Sequence, residues 1–213
     1  MIKASFRGGY DADNSDASGS IVVNTGGINL RASTTGDTFV NGPSLNGLTL
    51  SVENPGFFTV DYNVQKKDVR FQFMNSVRVN EMPLNLTYTH SLVEDRTELD
   101  GTLLLDSNHK VSANYGFESG NCKVKYTYMH GGVMTIEPCY DFAENSWDLA
   151  VSRRIYDGSV VRGSYHSSTR VLGLDWKTNS FANGNVKLSA SVNLAEEKKI
   201  PKLTAESIWD FEM

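Results

Sequence analysis

Long apolar runs are missing from this sequence. No stretch of consecutive apolar residues exceeds three, and a membrane-spanning helix needs about 20. A basic excess is missing too: 20 Lys and Arg stand against 25 Asp and Glu in 213 residues, a formal net charge of −5. Nucleic acid calls for a clustered basic footprint, so it is excluded as a partner. Cysteine is reduced to Cys122 and Cys139, too few for a disulfide framework and without metal-ligand spacing. The four histidines, His90, His109, His130 and His166, are scattered and read as strand or turn residues. The opening MIKASFRGGYDADNSD has no apolar core with a small-residue cleavage pattern, and it is not Arg-rich. No secretory signal or transit peptide is therefore expected. P-loop, dinucleotide fingerprint and nucleophile elbow are absent, so neither enzymatic catalysis nor a cofactor is expected.

What the chain has in abundance is period-two alternation, the mark of half-buried strands. In KVSANYGFESGNCKVKYTYMHGG, residues 110–132, Val111, Ala113, Tyr115 and Phe117 alternate with polar neighbours. The pattern resumes with Cys122, Val124, Tyr126 and Tyr128. Comparable sets recur from Ile2, Ala4, Phe6 to Leu203, Ala205, Ser207, Trp209, Phe211. Clusters such as Asn54-Pro55-Gly56, Gly131-Gly132 and Asn183-Gly184 separate them, supplying the positive φ of tight hairpins. Irregular stretches are expected near 8–19, 40–46 and 76–83. The reading is one all-β domain over 1–213, of about 14 strands with 12–16 allowed.

Two hairpins permit a register. With Gly120-Asn121 as a two-residue turn, Tyr115 faces Tyr126, Phe117 faces Val124 and Glu118 faces Lys123. With His130-Gly131-Gly132 as a three-residue loop, Tyr126 faces Ile136 and Lys125 faces Glu137. Both keep apolar opposite apolar and opposite charges paired. Cys122 then points to the apolar face and Cys139 to the polar one, so free thiols are expected. Pro138 cannot donate to a ladder, so a bulge or strand end is expected there.

Alternation does not say which face is inside. A soluble barrel or two-layer sandwich binding an apolar ligand puts the apolar face inward; a membrane barrel reverses the order. About eight strands already give a filled interior, so an apolar lining at about 14 would enclose a void. Trp and Tyr near strand ends, among them Tyr62, Tyr88, Trp147, Tyr165 and Trp176, resemble interfacial girdles. The polar face carries charge that would line a water-filled lumen. Its residues are Asp61, Arg70, Glu98, Asp100, Glu118, Lys123, Lys125, Glu137, Asp148, Arg162, Asp175, Lys187, Glu206 and Asp210. A barrel of about 14 strands has a backbone radius of roughly 14 Å and an opening of about 7–10 Å radius. The terminal strands bring Lys3 and Arg7 to Glu206, Asp210 and Glu212, so their pairing would close the sheet. The fold expected is a transmembrane antiparallel up-and-down β-barrel.

GPSLNGLTLSVENPGFFTVDY (42–62), RFQFMNSVRV (70–79), PLNLTYTH (83–90), NSWDLAVSRRIY (145–156) and SASVNLAEEKKIPKLTAESIWDFEM (189–213) carry a resemblance, together with the 110–132 stretch. The chain resembles the 24-kilodalton outer envelope pore proteins of plastids over essentially its whole length. That resemblance implies a high-conductance, weakly cation-selective channel in the plastid outer envelope membrane. It implies passage of triose phosphates, dicarboxylates, sugars, amino acids and nucleotides, membrane lipid as surroundings, and association of copies as homodimers. No family motif defines a filter residue; the lumen residues above come from the alternation.

Overall fold

Among the described residues, alternating polar and apolar positions resolve into sixteen strands. The computed structural model describes the backbone of residues 2–11, 15–35, 45–179, 184–196 and 199–212, with side chains inside 18–207. The first strands are β1 (Ile2–Asp11), β2 (Ser15–Asn24), β3 (Asn29–Thr34), β4 (Thr49–Asn54), β5 (Phe58–Asn63) and β6 (Asp68–Val79). There follow β7 (Met82–Ser91), β8 (Arg96–Leu104), β9 (His109–Gly116), β10 (Cys122–His130) and β11 (Met134–Asp141). The chain finishes with β12 (Ser146–Arg154), β13 (Val160–His166), β14 (Val171–Asn179), β15 (Gly184–Asn193) and β16 (Lys202–Glu212). Sequence neighbours pair antiparallel throughout, and β1 pairs antiparallel with β16, so the sheet closes with no free edge. Lys3 lies opposite Glu212 in that closing register. A closed barrel excludes the two-layer sandwich.

The two strands beyond the expected fourteen are β2 and β13. In β2, positions 17 and 19, which share the face of Ile21 and Val23, are Ala and Gly, too small to register as an apolar face. In β13, Gly163 interrupts the outward set between Val161 and Tyr165. The expected loop near 8–19 is therefore mostly strand. The expected irregular stretch at 76–83 is strand as well: β6 runs to Val79 and turns through Asn80 and Glu81. Both turn residues have positive φ, 48° and 68°, the signature of a two-residue turn matched to strand twist. Pro83 sits in β7 opposite Arg78. Of the expected 40–46 stretch, residues up to 44 lie outside the described residues.

Both expected hairpin registers are corrected. In β9–β10, Tyr115 pairs with Cys122 and Val124 with Ala113, four residues from the expected pairing. The connection is the five residues 117–121, closed by the Gly116 amide donating to the Asn121 carbonyl at 2.9 Å. In β10–β11 the loop is 131–133, so Tyr128 pairs with Ile136 and Lys123 with Asp141, two residues from the expected pairing. Both displacements are even, and an even slip leaves every side chain on its face. At Pro138 the strand neither bulges nor ends. The β10–β11 ladder omits Tyr126 and Thr127 and resumes in the same register, because proline has no N–H to donate.

There is no oily centre. Ala150 is the one buried apolar side chain among the described residues; Ser51, Asp68, Thr89, Ser91, Thr127, Asp141 and Ser146 are the buried polar ones. All share the parity of the charged residues. The opposite parity is exposed: Leu50, Phe73, Tyr115, Trp147, Leu174 and Leu188 among many. Apolar side chains thus face outward and polar ones inward, the order of a transmembrane barrel and the reverse of a soluble barrel holding an apolar ligand.

Candidate functional site

The inward face is concave enough for side chains to meet across an intervening strand. Arg162 on β13 donates to Glu137 on β11 at 2.8 Å, passing over β12. Ala150 makes the crossing possible: it pairs with Glu137 on one side and Ser164 on the other, and its methyl group leaves room above it. Cross-strand contacts continue around the wall. Lys123 lies 2.8 Å from Asp141 directly opposite, and Lys187 lies 3.6 Å from Asp175. His166 Nδ1 approaches Asp148 at 3.1 Å, and Asn114 donates to Asp100 at 2.8 Å. Asp61 is directly opposite Arg70 in the β5–β6 register, while Glu98 is ion-paired along its own strand with Arg96. Glu206 is opposite Lys187 in the β15–β16 register.

Lys125 differs from its neighbours. It lies opposite Ser112 and Cys139, is exposed, and has no ion-pair partner among the described residues. Cys139 therefore shares the polar parity while Cys122 has the apolar one, and both thiols are free. Glu118 departs from expectation. It belongs to the β9–β10 turn, where its carboxylate accepts the Thr97 amide at 2.8 Å; Lys123 is held by Asp141 instead. The backbone of Asp210 pairs with Ser5, and its side chain lies outside the described residues. Several inward charges escaped the sequence reading: Arg31 with Glu53 at 3.6 Å, Asp141, Lys110 and Lys177. The same alternation marks each of them; they fall near strand ends, where the pattern is shortest.

One end of the lumen holds a basin of about 410 Å³ lined by Asp61, Asp68, Arg70, Glu94, Arg96 and Glu98. Turns at that end are tied by charge. The hydrogen bond and attraction from Glu94 hold the Lys66 ammonium above the ordinary lysine value, at a separation of 2.7 Å. The Thr97 amide holds the Glu118 carboxyl below the usual carboxylate range. At the opposite rim the Asn108 amide does the same for Asp106, bonded at 2.7 Å. Charges of both signs interleave along much of the wall, although Lys177 stands directly opposite Lys187. Such a surface suits hydrated solutes.

A sequence model described as Outer envelope pore protein 24 matches residues 2–212. Outer envelope pore protein 24B, chloroplastic, of Arabidopsis thaliana is 57% identical over 212 residues, covering 100% of this chain and 99% of that protein. Outer envelope pore protein 24, chloroplastic, of Oryza sativa subsp. indica is 42% identical, covering 100% of both. Among solved structures, a multiply substituted porin of Rh. blastica superposes with a TM-score of 0.67 at 11% identity, covering 99% of each chain. The outer membrane protein Omp33 of Acinetobacter baumannii gives 0.55 at 14% identity, covering 99% of this chain and 98% of that one. The likeness to these two is one of fold. The match to the family model over residues 2–212, with the relatives' identity and coverage, establishes that the chain belongs to the outer envelope pore protein 24 family.

Proposed function

We propose that the chain is a water-filled, high-conductance, weakly cation-selective channel for passive diffusion across the plastid outer envelope. The observation that carries this reading is the inverted barrel, polar and ion-paired within, apolar without. Sixteen strands about 4.8 Å apart and tilted about 40° give a backbone radius of roughly 16 Å. Inward side chains narrow that to an opening of roughly 10 Å radius, wide enough for hydrated metabolites. Triose phosphates, dicarboxylates, sugars, amino acids and nucleotides are the solute class this reading assigns. The lining consists of Asp61, Arg70, Glu98 and Asp100 on one wall, Lys123, Lys125 and Glu137 on the next, and Asp148, Arg162, Asp175, Lys187, Glu206 and Asp210 beyond, with Glu118 at one mouth. Opposite charges neutralise one another locally, so discrimination is weak. The net charge of −5 favours cations slightly, screened over about 8–10 Å at physiological salt.

Refolded chain added to a planar bilayer should give ohmic conductance steps, with a reversal potential in a salt gradient displaced slightly toward the cation. Absence of steps from a chain that stays in solution without detergent would overturn the reading.

A further inference from the structure

The outward face is nearly free of formal charge. Its described strand residues include no Asp, Glu or Lys and one arginine, Arg153, near the end of β12. Three of the four histidines also have outward parity: His90, His109 and His130. Two of them lie at the same rim as Arg153, His130 two strands from it and His109 three. His109 lies opposite Tyr128 on β10, and their rings stack at 4.7 Å. Tyr128 Oη is 3.0 Å from His130 Nδ1, and Tyr126 Oη is hydrogen-bonded to His109 Nδ1. His130 pairs with Met134, and Met134 pairs with Arg153. The corner therefore spans four adjacent strands, β9 to β12, at one rim of the apolar band.

The phenols engage Nδ1 of each imidazole and leave Nε2 outermost. A neutral imidazole accepting a phenol proton at Nδ1 must carry its own hydrogen on Nε2. A protonated imidazole carries it there too. Neither Nε2 has a partner among the described residues, so each is open to donate to an anion when its Nδ1 accepts the phenol proton or when the ring is protonated. With the Arg153 guanidinium, the corner holds donors and positive charge and no outward carboxylate. Asp106, in the adjoining turn, is engaged by the Asn108 and His109 amides at 2.7 and 2.8 Å. An arginine at the end of a lipid-facing strand reaches the headgroup level, where the complementary group is a phosphate.

We propose that His109, Tyr128, His130 and Arg153 bind the phosphate of an anionic phospholipid on the outer surface of the barrel. This rests on the barrel being embedded in a membrane; it does not require the lumen to conduct.

The test uses the full refolded chain in detergent micelles doped with phosphatidylglycerol or phosphatidylcholine, read by native mass spectrometry. One phosphatidylglycerol per chain should be retained in preference to phosphatidylcholine. Arg153→Gln and His130→Gln should each lower that retention about fivefold, the scale of one basic residue at a membrane surface, while Arg153→Lys keeps most of it. Lys67→Gln, in an exposed turn at the opposite end, should change nothing, and circular dichroism checks that each variant has folded. Equal retention of both lipids, undiminished retention in Arg153→Gln, or displacement by free glycerol phosphate at the lipid's concentration would overturn the proposal. A chain that conducts but retains no lipid sinks this proposal alone; one that retains lipid but does not conduct sinks only the channel.

Discussion

Lys123 and Lys125 stand two residues apart on one face of β10 and hold different things. Lys123 is 2.8 Å from the buried Asp141 carboxylate. Lys125 faces a hydroxyl and a thiol, so its charge is available to passing ions. Lys125→Glu should raise cation preference without unfolding the barrel. The measurement is the reversal potential in a salt gradient, which should move toward the cation's equilibrium value and move less at high salt. An unmoved potential would place Lys125 outside the conducting path. Lys123→Glu would instead set two carboxylates directly opposite, a destabilising pair, and confuse selectivity with folding. That Lys125 belongs on the polar face was legible in KVKYTY, because parity is a property of the strand itself. That Lys123 belongs to Asp141 was not. Partner choice depends on register, and Arg162 shows the extreme: its partner lies two strands away, reached over Ala150.

At the scale of the strand, hydrophobic alternation reports faces and nothing finer. The β9–β10 and β10–β11 hairpins slipped by four and two residues from the expected pairing with no penalty the pattern could register. What decides them is turn chemistry: Glu118 takes the Thr97 amide, Ser119 Oγ takes the Asn121 amide at 3.2 Å, and Gly131 and Gly132 adopt φ of 58° and 68°. β2 and β13 escaped notice for a related reason, since Ala17, Gly19 and Gly163 leave the outward face without bulk. The face assignment itself is open to test in β12. Leu149 is outward, paired with Pro138 and Tyr165, and lies mid-strand. Leu149→Arg should destabilise the inserted barrel by about 2–4 kcal/mol, the midplane cost of a lipid-facing arginine. Thr87→Arg, inward and opposite Asp100 on β8, should be far milder. Equilibrium unfolding from lipid vesicles separates the two; equal costs would contradict the orientation.

For the molecule as a whole, stability depends on closure. β16 hydrogen-bonds to β15 on one side and β1 on the other, so its loss exposes two edges at once. In lipid each unpaired backbone group costs several kcal/mol, and no water is at hand to replace the ladder. Deleting residues 202–212 should therefore abolish protease-resistant insertion rather than leave a narrower pore. A stable, conducting chain of fifteen strands would contradict this. Closure was anticipated from the charges of the terminal segments, and the β1–β16 register sets Lys3 opposite Glu212.

The seam between β1 and β16 also orders events in time. A growing polypeptide emerging from the ribosome offers its first segment long before the one that must lie beside it exists. Until the last segment is released, the first has no permanent neighbour on that flank. Closure of the wall thus waits for β16, whereas every other ladder joins sequence neighbours.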